Sequence, residues 1–265
     1  MSLRVSQLTV YPVKSLAGVS TDTVDVTETG FSHDREWMIV DAEGVFVTQR
    51  QHPSMARIGA TVEGGNLRLS VPGEAPLDVP IIEDGEIRSV EVWEYPCDAI
   101  DQGQTAADLL SRFLQRSCRL VRMAPEFRRQ VSPRYRMSDD ETIGFADSMP
   151  FLLISEASLE DLNSRLHDPV EMNRFRPNLV VSGGTPFQED RWSRIRIGDI
   201  PFRVAKSCVR CEIPAVNQST GVKGVEPIET LGTYRAGPKG VLFGRHLVHE
   251  GRGRIQAGDP VEILE

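Results

Sequence analysis

Short runs that alternate apolar and polar residues, broken every few positions by Gly or Pro, commit this chain to a sheet-rich fold. Residues 3–12 (LRVSQLTVYP) alternate in part, and 22–28 (DTVDVTE) alternate cleanly and end at Gly30. EWMIVDAEGVFVTQR (36–50) reads as a hairpin turning at Glu43-Gly44, and GATVEGGNLRLSV (59–71) as a second turning at Gly64-Gly65. One more strand is expected in 88–101 (RSVEVWEYPCDAID) and another in 118–123 (CRLVRM). Between them, 104–117 predicts an amphipathic helix with Leu109, Leu110, Phe113 and Leu114 on one face and Thr105 as N-cap. The polar stretch 125–142 has no core pattern and reads as an exposed or mobile loop. Then come a buried strand, PFLLIS (150–155), a helix opening on Ser155, and a strand, NLVVSG (178–183). A hairpin over 194–208 turning at Gly198-Asp199 and a closing strand–turn–strand, GRIQAGDPVEIL (253–264), complete the pattern. The fold class that follows is mainly β with a few helices, barrel-like in architecture.

Composition narrows the function. Of 265 residues, 40% are hydrophobic and 26% charged, enough apolar material for a sizeable core. A net charge of −8 disfavours a nucleic-acid partner but leaves local basic clusters free to hold a small anion. The opening MSLRVSQLTVYPVKSL has no apolar signal core, and no stretch approaches the roughly 20 apolar residues of a membrane span, so a cytoplasmic protein with no membrane partner is expected. The four cysteines, Cys97, Cys118, Cys208 and Cys211, are too few for a disulfide framework and are expected as reduced thiols.

Five constellations carry candidate chemistry. Cys208-Val-Arg-Cys211 follows Lys206 and Ser207, and cations beside a thiol favour the thiolate that a metal or a nucleophilic role requires. A zinc knuckle lacks its second ligand pair and a dithiol redox motif lacks its βαβ setting. A single ligand to a soft metal and a pair of buried small residues both remain open. Lys14 and Ser15 in YPVKS, with Arg35 in HDREW, form a phosphate-type donor set if their strands pair; a surface salt bridge is the alternative. Arg174 and Arg176 in NRFRPN point to one side if that segment is extended, and solvated ion pairs are the alternative. Asp147 in FADSMPF is either a proton-handling carboxylate or a turn former. LFGRH (242–246) places Arg245 and His246 where glycines permit close approach to a ligand, or marks a β-bulge.

In combination these segments resemble the MOSC superfamily, in which an N-terminal β-barrel module precedes the MOSC domain. The resemblance runs almost end to end, through YPVKS (11–15), HDREWMIVD (33–41), FADSMPFLLIS (145–155), FRPNLVVSG (175–183), KSCVRCEIPAVNQSTG (206–221), EPIETLGTYR (226–235) and LFGRH (242–246). It is specifically similar to amidoxime-reducing and bacterial N-hydroxyl-compound reductases. The resemblance implies modules at 1–120 and 121–265 and a molybdenum–molybdopterin cofactor. It implies Cys211 as the metal ligand and as a catalytic residue. Lys14, Ser15 and Arg35 are implied as cofactor contacts from one side, and Arg176, Asn178 and Arg210 from the other, with His246 more loosely. Asp147 is implied as an acidic residue near the metal and a candidate proton source. With an N-hydroxylated small molecule as substrate, electrons are expected from a separate flavoprotein or ferredoxin-type protein, since no cysteines remain for an iron–sulfur cluster. Arg210 is expected to keep the Cys211 sulfur ionised. The alternative reading is a molybdenum-cofactor-binding or sulfur-carrier module without turnover. The family carries a pyridoxal-phosphate label, but no pyridoxal-phosphate domain is evident here.

Overall fold

The computed structural model describes residues 2–265. Strands dominate, and three α-helices, α1 (Gln104–Leu114), α2 (Glu156–Asn163) and α3 (Ile228–Tyr234), cover them. The largest sheet has nine strands. Its path runs Val19–Thr21, Arg4–Val10, Leu179–Ser182, Phe151–Ser155, Gly240–His249, Ile200–Val209, Arg194–Ile197, Val261–Ile263, with Ala236–Gly237 paired to the edge of Gly240–His249. One pair in it is parallel, Phe151–Ser155 with Leu179–Ser182, and α2 makes that crossover. A four-stranded sheet (Trp37–Val40, Arg119–Met123, Tyr95–Asp101, Ile87–Val92) and a three-stranded one (Gly59–Glu63, Asn66–Ser70, Leu77–Pro80) form the other half.

The two halves are interleaved. Arg4–Val10 pairs with Leu179–Ser182, and Gly253–Gln256 pairs with Thr23–Val26, so the first strands of the chain complete the sheet of the last. The expected division at 120/121 falls inside the strand Arg119–Met123, which belongs to the four-stranded sheet. Apolar alternation drives both cores. One gathers Val5, Leu8, Phe31, Phe151, Ile195, Phe202 and Leu247, the other Val13, Trp37, Leu67, Leu69, Leu110 and Leu120. Fully burying such side chains is worth about 1.5–3 kcal/mol each.

Most local expectations hold. Hairpins turn at Gly64-Gly65 and Gly198-Asp199, and the Ser155 side chain caps α2 by accepting from the Ser158 N–H. The 36–50 hairpin does form about Glu43-Gly44, with Val40 bridging Phe46 and the Val47 N–H donating to Ile39 O at 2.8 Å, though only its first arm, Trp37–Val40, is a full strand; Asp41 Oδ1 accepts the N–H groups of Glu43 and Val45 and tightens the turn. Three expectations fail. The N-cap of α1 is Gly103 rather than Thr105, because the Asp101 carboxylate accepts the Gly103 N–H at 2.9 Å and starts the helix earlier. Residues 88–101 form a hairpin, Ile87–Val92 with Tyr95–Asp101, not one strand. The stretch 125–142 is anchored: Val131 is fully buried, Arg129 is buried, and Arg129–Gln130 pairs with Thr142–Ile143. Among the described residues no helix is long and apolar enough to cross a membrane.

Candidate functional site

The segment Tyr11–Leu16 leaves the large sheet and crosses to the small ones. It is pinned there by three backbone bonds: Arg35 N–H to Tyr11 O at 2.7 Å, Trp37 N–H to Pro12 O at 3.0 Å and Lys14 N–H to Trp37 O at 2.8 Å. Lys14, Ser15 and Arg35 therefore meet, by a crossing of two loops and a single parallel bridge, Val13 with Trp37, rather than by a paired hairpin. The 144–147 loop packs onto the same crossing, with Phe145 N–H donating to Arg35 O. A Cβ on Gly144 would lie 2.7 Å from that same Arg35 oxygen, which is why the approach needs glycine.

All nine residues expected at the site line one cavity of about 130 Å³: Lys14, Ser15, Arg35, Asp147, Arg176, Asn178, Arg210, Cys211 and His246. They come from six separate segments. Three of them, Ser15, Arg35 and Arg176, hold positive φ angles of 66°, 50° and 57°. Non-glycine residues there carry roughly 1–3 kcal/mol of strain each, and such strain persists where surroundings over-determine it. Arg174 does not join them. The left-handed conformation at Arg176 turns the chain, so Arg174 donates outward to Pro214 O while Arg176 enters the cavity and donates to Leu16 O at 2.6 Å. Arg245 also stays out, donating to Ser207 Oγ, while His246 lines the cavity.

A brace that sequence reasoning missed holds the cations. Buried Asp34 accepts from the Tyr11 N–H at 2.8 Å and Asn178 Nδ2 at 3.0 Å through Oδ1, and from Arg35 Nη1 through Oδ2. Burial raises its pKa against the pull of Arg35. The Tyr11 ring lies between the Arg35 and Arg176 guanidiniums, 4.2 Å from each. Burial pushes the Tyr11 hydroxyl up to about 12 and draws Arg176 down to about 10, so the first stays neutral and the second charged near pH 7. The Asn178 side chain gives both its donors and acceptors to the protein, to Thr9 O, Asp34, Arg35 and the Leu152 N–H. It lines the cavity as a support for Arg35, with no free hydrogen-bonding capacity of its own. The one signal for this brace was Asp34 beside Arg35 in HDREW.

On the opposite wall, Asp147 is 46% exposed, yet its carboxylate pairs with Lys14 Nζ, with Arg50 Nη2 at 3.3 Å and with Trp93 Nε1 at 3.2 Å. Partial burial opposes ionisation, but Lys14 and Arg50 outweigh it and hold this carboxyl well below the ordinary range. In these pairings Asp147 is held as a carboxylate. Burial lowers the Lys14 amine to about 8 against the attraction of Asp147.

Cys211 follows the strand Ile200–Val209, whose register slips between Ser207 and Val209. Of the four free cysteines it is the one not buried. The cation touching it is Arg50, with Nη2 3.5 Å from Sγ, and not Arg210. Arg210 instead donates to Cys208 Sγ at 3.1 Å and to Phe175 O at 2.8 Å. Burial would raise the Cys208 thiol, but Arg210 and His246 bring it down to about 6. Among the described residues no group of three or more His, Cys, Asp or Glu side chains gathers to hold a metal, so a zinc-type cage is absent and any metal here rests on few protein ligands.

Five cations (Lys14, Arg35, Arg50, Arg176, Arg210) and one carboxylate (Asp147) line the cavity. Arg210 Nε is buried there without a partner. The fold and this cavity define a class: a two-part β protein with a cationic pocket and an accessible thiol in its wall. The family described as MOSC N-terminal beta barrel domain matches residues 2–117, and MOSC domain matches 140–262. The chain is 37% identical to mitochondrial amidoxime-reducing component 1 of Mus musculus and of Homo sapiens, each over 98% of this chain and 82% of the relative. It is 33% identical to molybdenum cofactor sulfurase of Arabidopsis thaliana, over 93% of this chain but only 33% of that protein. The chain belongs to the MOSC family.

Proposed function

We propose that this protein is a molybdenum-cofactor-dependent oxidoreductase that reduces N-hydroxylated compounds with electrons from a separate flavoprotein or ferredoxin-type donor. The observation that carries the reading is the cavity itself, in which a surplus of cations and an unpartnered guanidinium nitrogen surround a space ending at Cys211. A dianionic phosphate suits that surplus, and a thiolate suits a soft metal better than a carboxylate does. The similarity to amidoxime-reducing components supports the same substrate class.

In this reading 1–120 and 121–265 are two modules that clasp one ligand. Cys211 would hold the metal. Lys14, Ser15, Arg35, Arg176 and Arg210 would hold the pterin phosphate and ring, with His246 beside them and Asn178 fixing Arg35. The cofactor, when bound, supplies the two-electron redox chemistry. The overall change breaks the N–O bond: R–NHOH takes up two electrons from the donor protein and two protons and gives R–NH2 and water. Asp147 keeps Lys14 and Arg50 in place, and Arg50 sets the charge beside Cys211 Sγ. Lys14 Nζ, fixed by Phe145 O and Asp147, would meet the phosphate as an ammonium. A cytoplasmic setting, where thiols stay reduced, suits the four free cysteines.

The test is Cys211→Ala in protein made with cofactor supply, assayed with an artificial reductant and an amidoxime. Loss of turnover with an unchanged fold is expected; full turnover overturns the reading. One observation favours a second reading, a cofactor-binding or sulfur-carrier module. Cys208 is a second thiol in the same cavity, held near a pKa of 6. Stoichiometric transfer of sulfur or cofactor without turnover would select it.

A further inference from the structure

A second cavity, of about 420 Å³, shares Arg50, Asp147 and Cys211 with the first and opens beside it. Its size suits a small organic molecule. Three aromatic side chains wall it, Trp93, Tyr95 and Tyr135, and Trp93 and Tyr95 are 41% and 53% exposed. The Arg50 and Arg129 guanidiniums lie over the Trp93 and Tyr95 rings, 4.8 and 5.7 Å from their centroids, so cations and aromatic faces are presented together at this mouth.

The same wall carries two cations without acidic partners. Arg129 donates to the carbonyl oxygens of Gly144 at 3.1 Å, Ala146 at 2.5 Å and Asp147 at 3.4 Å, all neutral acceptors that fix its position and leave its charge uncompensated. Lys206 places Nζ 4.5 Å from the centroid of the Tyr135 ring, and among the described residues no carboxylate pairs with it. Burial lowers the Lys206 amine, as expected of a cation kept partly from water without a counter-charge. The acid on this wall, Asp147, is already engaged by Lys14 and Arg50. In a chain of net charge −8, two such cations beside three aromatic rings are not background.

We infer that this second cavity is the substrate vestibule, and that it selects flat aromatic substrates bearing an anionic group, such as a carboxylate, away from the N-hydroxyl end. The inference rests on the reductase reading for the identity of the N-hydroxyl group, and on Lys206, Arg129 and the three rings for the rest. The rings stack on the flat body of the substrate, and the carboxylate becomes the missing counter-charge of Lys206 and Arg129. A neutral or cationic analogue leaves those charges uncompensated.

The experiment compares benzamidoxime with 4-carboxybenzamidoxime by calorimetric titration of protein made in cofactor-competent cells. The carboxylate is expected to bind about tenfold tighter, the scale of one charge-assisted contact partly screened by solvent. Lys206→Gln is expected to remove most of that ratio, and Lys206→Arg to keep it. Equal affinities in the wild type, or a ratio unchanged in Lys206→Gln, would overturn the inference. Turnover of the same two compounds separates the two readings. A binding preference with reduction of neither compound sinks the reductase reading and leaves the vestibule standing. Reduction of both with equal affinity does the reverse.

Discussion

Replacing Asp34 with Asn tests the brace behind the cationic cavity. The wild-type carboxylate accepts from the Tyr11 N–H, Asn178 Nδ2 and Arg35 Nη1, and it is 6% exposed. An amide oxygen can still accept from Tyr11 and Asn178, but its nitrogen then faces Arg35, which loses its anionic partner. Breaking a buried ion pair from one side costs about 3–5 kcal/mol. Because the Arg35 side chain is 13% exposed, the lower end applies, roughly 3 kcal/mol. At roughly 2–4 °C per kcal/mol for a chain of this size, the melting temperature should fall by about 6–12 °C. Differential scanning fluorimetry of the metal-free protein reads this directly. Saturating sulfate should then recover more stability in Asp34→Asn than in the wild type, since an anion in the cavity replaces the lost charge. A shift under about 2 °C, or no added benefit from sulfate, would refute the claim that Asp34 neutralises these cations.

Further outcomes are expected. Sulfate keeps its charge between pH 6.5 and 9, while the Lys14 amine titrates at about 8. Anion binding needs that amine protonated, so affinity for the metal-free protein should be full below the pKa and fall by up to about tenfold per pH unit above it; calorimetry should find the step in the wild type and a flat profile in Lys14→Met. Gly244 has φ +84°, and a Cβ there would lie 2.7 Å from Ile154 Cγ1 and 2.9 Å from Leu153 O. Gly244→Ala should therefore cost about 2–4 kcal/mol, from left-handed strain plus overpacking; an unchanged midpoint in urea would show that the two strands yield.

The sequence was most legible where causes are local. Alternation located the strands, a Gly-Gly and a Gly-Asp turn located two hairpins, and Ser155 announced its helix, because each depends on neighbours a few residues away. The gathering of Lys14, Asp147, Arg176 and Cys211 around one cavity was suggested by family resemblance, not by spacing. What was not legible is long-range. Asp34 and Tyr11 work through contacts with Asn178 and Pro177, more than 140 residues away. Arg50 reaches Cys211 across 161 positions, so nothing near either residue signals the pair. Arg174 and Arg176 looked equivalent until the left-handed backbone at Arg176 sent them apart. The interleaving of the two halves, with Arg4–Val10 completing the sheet of the second, leaves no mark on either segment alone.

Molybdenum-edge X-ray absorption on wild type and Cys211→Ser, both made with cofactor supply, addresses the central claim most directly. The account predicts that the metal in the wild type has one more sulfur neighbour than in the variant, with the remaining shell alike. Equal sulfur counts in the two proteins, both loaded with metal, would mean that Cys211 is not its ligand.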